Sequence, residues 1–485
     1  MKLLYICILF LFVSCASETS KQDYIIEFSS FVKNLEQQKR SNTQIDWSTK
    51  NDSLDQFINR QNEFRLTRKD KQTIDELIET SNSIISSQPD IEMLVHFYFE
   101  NSLSMNGYLD GLNFKQSMHR MFSGIDEGTL NTYFVNTQEY EAKDLLSKID
   151  AKQIATQGIN ASDHQFIFTN AIEKAVENNL SIVVTDGIYS VKDGDIGIVE
   201  IDIENAFKKA LTDNEIETLV LKMYSEFNGT YYSETCEPGN KAIPISNQVR
   251  PYYILMFGNS KSIDKALNEI AIINELPGFE QQSRFFLTKS LNVDYSVLTQ
   301  GEEKHGEFVP SSRGSNIITE IKNAKKYERR GFKGTPKEEN YLQFAIAVDF
   351  SKTPLPDSYV EDVSNYLMDD ELGYKIVEIQ SIENLIKTSK TYKSIGQFKK
   401  KSNTSFTHII TVKADKDLYG SMHLKLQNNL PSWISETGIE DDCKITGDTT
   451  HTFAFDKLMI GILKAYKKVT KSDHYLNIDL KINAN

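Results

Sequence analysis

The chain has 485 residues, 39% of them apolar and 25% charged, a globular balance that argues against both disorder and a membrane-embedded chain and suggests two to four domains. Lys and Arg number 54 against 68 Asp and Glu, so the formal net charge is 54 − 68 = −14. With no large basic block to neutralise phosphates, the acidic chain is a poor nucleic-acid binder, and no nucleic-acid partner is expected. The 27 Phe and 22 Tyr against 2 Trp favour sheet over a helical bundle.

The first fifteen residues read as a leader. Met1-Lys2 is positive, and Leu3–Val13 is an apolar core too short to span a bilayer. It ends in Phe12-Val13-Ser14-Cys15, which resembles the lipobox of bacterial lipoproteins, with Phe12 where Leu is usual. The resemblance implies acylation of Cys15, and the polar stretch Ala16–Lys21 then serves as tether. Cys7 leaves with the leader, so Cys236 and Cys443 are the two cysteines left over. In an oxidising compartment they can pair and staple two domains, or remain two unrelated thiols.

Residues 16–89 read as a helical stalk. Tyr24, Phe28, Phe31/Val32 and Leu35 recur at helical spacing, as do Trp47, Leu54, Phe57 and Ile58. A third helix starts at Thr67, a cap with Asp70 three residues on. The layout of Phe-Val, Asp-Trp and Leu-Thr-Arg-Lys-Asp-Lys resembles segments that follow the lipid anchor in Bacteroidetes-type lipoproteins.

From residue 90 to 273 strands alternate with helices, which predicts a doubly wound, mostly parallel α/β domain. Ile91–Phe99 and Ser181–Thr185 are apolar runs suited to strands buried on both faces. Strands are also expected at Tyr133–Val135, Glu217–Phe227 and Tyr252–Phe257, and helices at Asn113–Phe122, Thr169–Val176, Ile203–Leu211 and Ser262–Ile272. Asn228-Gly229 predicts a hairpin turn. Residues 274–485 read as β-rich, from the alternation of Phe344, Ile346, Val348 and Phe350 and of Leu476, Ile478, Leu480 and Ile482, with further strands at Ile409–Val412 and Met422–Leu426. Lys322–Lys337 is expected to be an exposed loop.

In open α/β sheets ligands bind beyond the carboxyl ends of the strands. After the first strand comes Glu100-Asn101-Ser102-Leu103-Ser104-Met105, with a carboxylate and two hydroxyls. After a later one comes Thr185-Asp186-Gly187, and Thr169 lies between them. Oxygen-only donors suit Mg²⁺ or another divalent cation. The three segments resemble the metal-ion-dependent adhesion site of the von Willebrand factor A domain, whose first loop normally begins with Asp rather than Glu. That resemblance implies a metal site of Glu100, Ser102, Ser104, Thr169 and Asp186. Equally, the hydroxyls can serve only as turn and helix-cap partners.

The resemblance implies a protein-binding module in which the cation takes a carboxylate from an envelope or surface protein. The expected molecule is a cell-envelope lipoprotein, held at the outer membrane by its lipid and more a binder than an enzyme. Two alternatives are a metal-dependent phosphoester hydrolase and a structural envelope protein with a dead metal site. No HExxH, G-x-S-x-G or P-loop motif occurs. Replacing Cys15 by Ala should move the protein from the membrane to the soluble fraction; a variant that stays membrane-bound and equally processed contradicts the anchor.

Overall fold

The protein is described by a computed structural model, which covers residues 21–41, 47–61, 64, 66–86, 93–190, 196–287, 291, 293–311, 317–323, 325–330, 336–351, 353–368, 373–402, 406–414 and 420–482. Cys15 and its leader lie outside these residues. The chain divides into two compact units, Met1–Ile91 and Glu92–Asn485.

The first unit holds three helices: α1 (Lys21–Ser41), α2 (Trp47–Arg60) and α3 (Arg68–Ser86). Its core is the apolar stripe of each, including Tyr24, Phe28, Val32, Leu54, Phe57 and Ile74. The Phe28 and Phe57 rings stack at 4.7 Å. Thr67 caps α3 reciprocally: Asp70 N–H donates to Thr67 Oγ1 (3.3 Å) and Thr67 N–H donates to the Asp70 carboxylate (2.7 Å). Among the described residues no helix is long and apolar enough to cross a membrane.

The second unit is mixed α/β. In chain order its first part runs β1 (Val95–Glu100), α4 (Leu112–Ser123), β2 (Leu130–Val135), β3 (Glu139–Glu141), α5 (Leu145–Asp150), α6 (His164–Lys174), β4 (Leu180–Thr185), α7 (Ile196–Asp213), β5 (Glu217–Tyr232), β6 (Ala242–Gly258), α8 (Ser260–Glu269) and β7 (Phe279–Phe285). These strands form one seven-stranded sheet ordered β3-β2-β1-β4-β6-β5-β7.

Side-chain alternation explains why the central strands carry apolar residues on both faces. Phe97, Phe99, Ile182 and Val184 face a core made with α4, α5 and α8. Tyr98, Val183, Val220 and Leu255 face the opposite core with α6 and α7. Helices therefore cover both faces, as expected, but the sheet is mixed rather than mostly parallel. β1 is parallel to β2 and β4. β6 is antiparallel to both β4 and β5, so β4 and β5 run the same way and β6 is inserted between them.

The hairpin predicted at Asn228-Gly229 is absent, because β5 continues through a bulge there to Tyr232. Glycine serves close packing at this point: a Cβ on Gly229 would sit 2.7 Å from the Gly107 Cα. The chain reverses later, at 233–241, where Ser233 N–H donates to Lys241 C=O (2.8 Å).

The remaining elements are β8 (Tyr295–Val297), β9 (Glu307–Pro310), β10 (Ile317–Asn323), β11 (Lys325–Arg330), β12 (Pro336–Val348), α9 (Asp357–Val360), β13 (Tyr366–Met368), β14 (Tyr374–Ser381), α10 (Lys390–Ser402), β15 (His408–Ala414), β16 (Gly420–Gln427), α11 (Ser432–Thr437), β17 (Gly438–Ile439), β18 (Thr452–Phe453), α12 (Phe455–Thr470) and β19 (His474–Ile482). Two five-stranded sheets share one core: β13-β16-β19-β10-β9, and β11-β12-β15-β14 with β8 also pairing with β12. Lys322–Lys337, expected as a loop, instead contributes to β10, all of β11 and the start of β12, since β11 pairs antiparallel with β12 through register Lys325↔Tyr341 to Arg330↔Pro336.

Elements beyond residue 273 also belong to the α/β layer, β7 and α12 chief among them. β7 is an edge of the seven-stranded sheet, and α12 buries Leu458, Met459 and Ile462 in the core with α6 and α7. Phe455 at its start stacks on Tyr253 of β6 at 3.8 Å.

Candidate functional site

The register of the parallel strands assembles the site. Phe99 of β1 pairs with Val184 of β4, so the residues that follow, Glu100 and Thr185, leave the sheet side by side. Both are buried, as is Asp186. Asn101 ties the first loop down: its Nδ2 donates to Ile154 C=O (2.9 Å), and its Oδ1 accepts from Asn136 Nδ2 (3.1 Å). The chain then makes a tight 3-10 turn, Ser104–Tyr108, braced by Tyr108 donating to Pro251 C=O (2.5 Å). In the third loop Gly187 has φ +69°, and a Cβ there would meet the Tyr253 ring at 2.7 Å. The glycine of Thr185-Asp186-Gly187 thus permits a left-handed backbone directly against an aromatic face.

Every oxygen in this cluster is bonded. Glu100 accepts from Ser162 Oγ (2.5 Å) and from Thr185 Oγ1. Ser104 Oγ donates to Asp186, whose second oxygen accepts from Ile188 N–H (3.0 Å). Ser102 and Ser104 hydroxyls lie 3.0 Å apart. Thr185 Oγ1 gives its proton to Glu100 and accepts from Gly187 N–H (2.8 Å), so its 3.2 Å contact with His164 Nε2 places the imidazole proton on Nε2. His164 Nδ1 is buried and unpartnered, consistent with the bare nitrogen of that tautomer.

Burial dominates the electrostatics. It raises Glu100, with the surrounding hydroxyls pulling the other way. It likewise pushes Asp186 up to about 7, aided by the Glu100 charge and opposed by the Ser104 and Ile188 bonds. Burial holds His164 down to about 4. His164 is therefore neutral at neutral pH, and its 3.8 Å approach to Glu100 is not an ion pair.

The cluster opens into a cleft of about 330 Å³. Glu100, Ser102, Ser104, Ser162 and Asp186 line one side, and Tyr232, Ser233, Glu234 and Lys241 line the other. That second wall is the tip of the β5–β6 hairpin. It is tied back twice. Cys236 and Cys443, 207 positions apart in sequence, form a disulfide with Cα atoms 4.9 Å apart. The buried Asp442 carboxylate accepts from Tyr231 Oη (2.9 Å), Ser233 Oγ (2.6 Å), Thr235 Oγ1 (2.7 Å) and the Glu234 and Thr235 amides.

Four of the five expected site residues, Glu100, Ser102, Ser104 and Asp186, converge here. Thr169 does not. Helix α6 begins at His164, five residues before the position read as its start, because Asp163 caps it by accepting from Phe166 N–H (3.0 Å). Thr169 therefore lies within the helix, outside the residues lining the cleft. Ser162, immediately before the cap, takes the position by Glu100. Ser162, His164 and Thr185 were not singled out from sequence; the cap residue Asp163 ahead of an apolar helical face was the available signal.

On the Glu100 side of the cleft the donors are two carboxylates and three hydroxyls, all hard oxygen, which fit Mg²⁺, Ca²⁺ or Mn²⁺ better than Zn²⁺ or copper. Among the described residues no group of three or more His, Cys, Asp or Glu could hold a metal ion. The chain matches no protein-family model, no curated protein and no solved structure.

A raised carboxyl pKa fixes the sign of the pH effect. The folded state holds a proton on the pair that the unfolded chain releases above its ordinary value of 3.8. The stability of the cation-free protein therefore falls as pH rises from about 4 to about 7. Asp186→Asn removes the charge while keeping the shape. In chelator its urea midpoint should gain on the parent's as pH is raised from 5 to 8. A difference between the two that does not change with pH contradicts the buried pair.

Proposed function

We propose that the seven-stranded sheet and its helices form a von Willebrand factor A-like binding module with a degenerate metal-ion-dependent adhesion site, carried on a lipid-anchored envelope protein. The observation that carries this reading is the Ser102–Ser104–Asp186 hydroxyl–carboxylate chain beside Glu100, in a cleft at the carboxyl ends of β1 and β4. The order β3-β2-β1-β4, with β1 parallel to both neighbours and β3 antiparallel at the edge, supports it. The β6 insertion is this chain's departure from a doubly wound parallel sheet.

Ser102, Ser104 and Asp186 would hold the cation directly or through water, with Ser162 in the role expected of Thr169. Glu100, a methylene longer than Asp, spends both oxygens on hydroxyl bonds and acts chiefly as the counter-charge behind those ligands. A bound divalent cation supplies an open coordination position for a carboxylate from a protein partner. The module faces the cell envelope on the Cys15 anchor.

The test is a thermal melt of the full mature chain in chelator and in Mg²⁺, Mn²⁺ or Ca²⁺. At a hundredfold excess over the dissociation constant the cation should stabilise by roughly 2.7 kcal/mol. Glu100→Asp should strengthen that response and Asp186→Ala should abolish it. No shift with any cation, together with an unchanged melt for Asp186→Ala, overturns the proposal.

A further inference from the structure

A second cavity, of about 240 Å³, lies against β7 and is lined by all five residues Gln281–Phe285. Consecutive strand residues point to opposite faces. Gln282 pairs with Leu221 and Ser283 with Val220, and those partners belong to opposite cores of the sheet. A cavity touching both kinds of position runs along the outer edge of β7, where among the described residues no further strand is paired. Strand-edge amides and carbonyls therefore border it.

The facing wall is aromatic and polar together. Trp433 is fixed by its indole N–H donating to Ser283 Oγ (3.0 Å), and Tyr359 and Tyr475 stand beside it. The Tyr359 hydroxyl is committed to the Gln427 carbonyl (2.8 Å). Gln281, Gln282, Asn429 and Glu436 are among the other residues that line the cavity. Among the described residues, those four side chains have no hydrogen-bonding partner in the protein. Arg284 offers no free charge, being paired with Glu217 and Asp264 at 2.6 Å each.

These groups select by elimination. An anion meets Asp362 and Glu436, while among the described residues the neighbouring cations Arg284 and Lys222 are already paired with Glu217, Asp264 and Glu280. A purely apolar ligand would strand the amides without water. A quaternary ammonium would suit the rings and acids, but it can use no amide donor. A sugar uses all of them: its C–H face packs on an aromatic ring, and each hydroxyl both donates and accepts. The volume lies below the roughly 300–1,000 Å³ of drug-sized sites, which limits the occupant to about one ring.

We propose that the cavity between the β7 edge and Trp433 is a binding site for a single neutral sugar residue, free or as the terminal unit of a glycan. It stands apart from the cation cleft and does not depend on it.

The test uses the full mature chain with methyl glycosides of glucose, galactose, mannose and N-acetylglucosamine, read by saturation-transfer NMR and by tryptophan emission. At least one glycoside should bind saturably, and tetramethylammonium should not displace it. Asn429→Ala and Gln281→Ala remove side chains that the fold does not use. Each should weaken binding roughly tenfold, the loss of one hydrogen bond at about 1.4 kcal/mol per decade, with an unchanged thermal midpoint. Trp433→Phe should keep the ring but lose the emission response. No saturable binding of any glycoside, binding indifferent to both alanine variants, or displacement by tetramethylammonium overturns the proposal.

Discussion

Glu100 and Asp186 sit at the ends of adjacent strands with almost no access to water, at 1% and 2% exposure, and close enough for the charge of one to raise the other. Burying two like charges is unfavourable unless something neutralises them. Two means are at hand, a proton shared at lower pH and the ring of hydroxyl donors; the proposed cation is the third. The neutral His164 supplies none of the missing charge. The rest of the site follows from this constraint. Ser104, Ser162 and Thr185 are oriented as donors to carboxylates, and the Asn101–Asn136 pair fixes the loops that carry them.

The wider fold gives that cluster its rigidity. The bulge in β5 brings Gly229 against Gly107 under the first loop. α12, contributed from far along the chain, closes the opposite face with Phe455 stacked on Tyr253, and the same Tyr253 ring meets the backbone at Gly187. The hairpin tip forming the far wall is held by a disulfide and by a buried aspartate rather than by an apolar core. On a chain-entropy account, closing a loop of that length contributes roughly 5 kcal/mol. A wall fixed in this way keeps Tyr232, Glu234 and Lys241 at a set distance from the carboxylates, which suits a site that selects its occupant.

Much of the architecture is legible in the sequence where the periodicity has a single cause. The stretches at 93–99 and 181–185 are largely apolar because both faces of the sheet are covered, and the alternation of Leu476 to Ile482 marks a strand with one covered face. The Thr67/Asp70 cap places a helix start within a residue. The same signals mislead where a residue type serves two ends. Asn228-Gly229 reads as a turn, yet the glycine is required by a backbone contact with a segment more than a hundred residues earlier. Thr169 reads as a helix start because the true cap, Asp163, sits ahead of His164 and Gln165, where the apolar pattern has not yet begun. The insertion of β6 between β4 and β5 left no local mark, since both strand orders bury the same side chains.

The central claim is that the paired carboxylates and their serines form a site for a hard divalent cation. Crystals of the mature chain grown with Mn²⁺ and measured at the manganese edge test it most directly. The account predicts an anomalous peak in the cleft, within about 2.0–2.6 Å of oxygens from Ser102, Ser104 or Asp186, and its loss in Asp186→Ala. Crystals grown at saturating Mn²⁺ with no peak in the cleft, and with Ser104 still donating to Asp186 and Ser162 to Glu100, would contradict it.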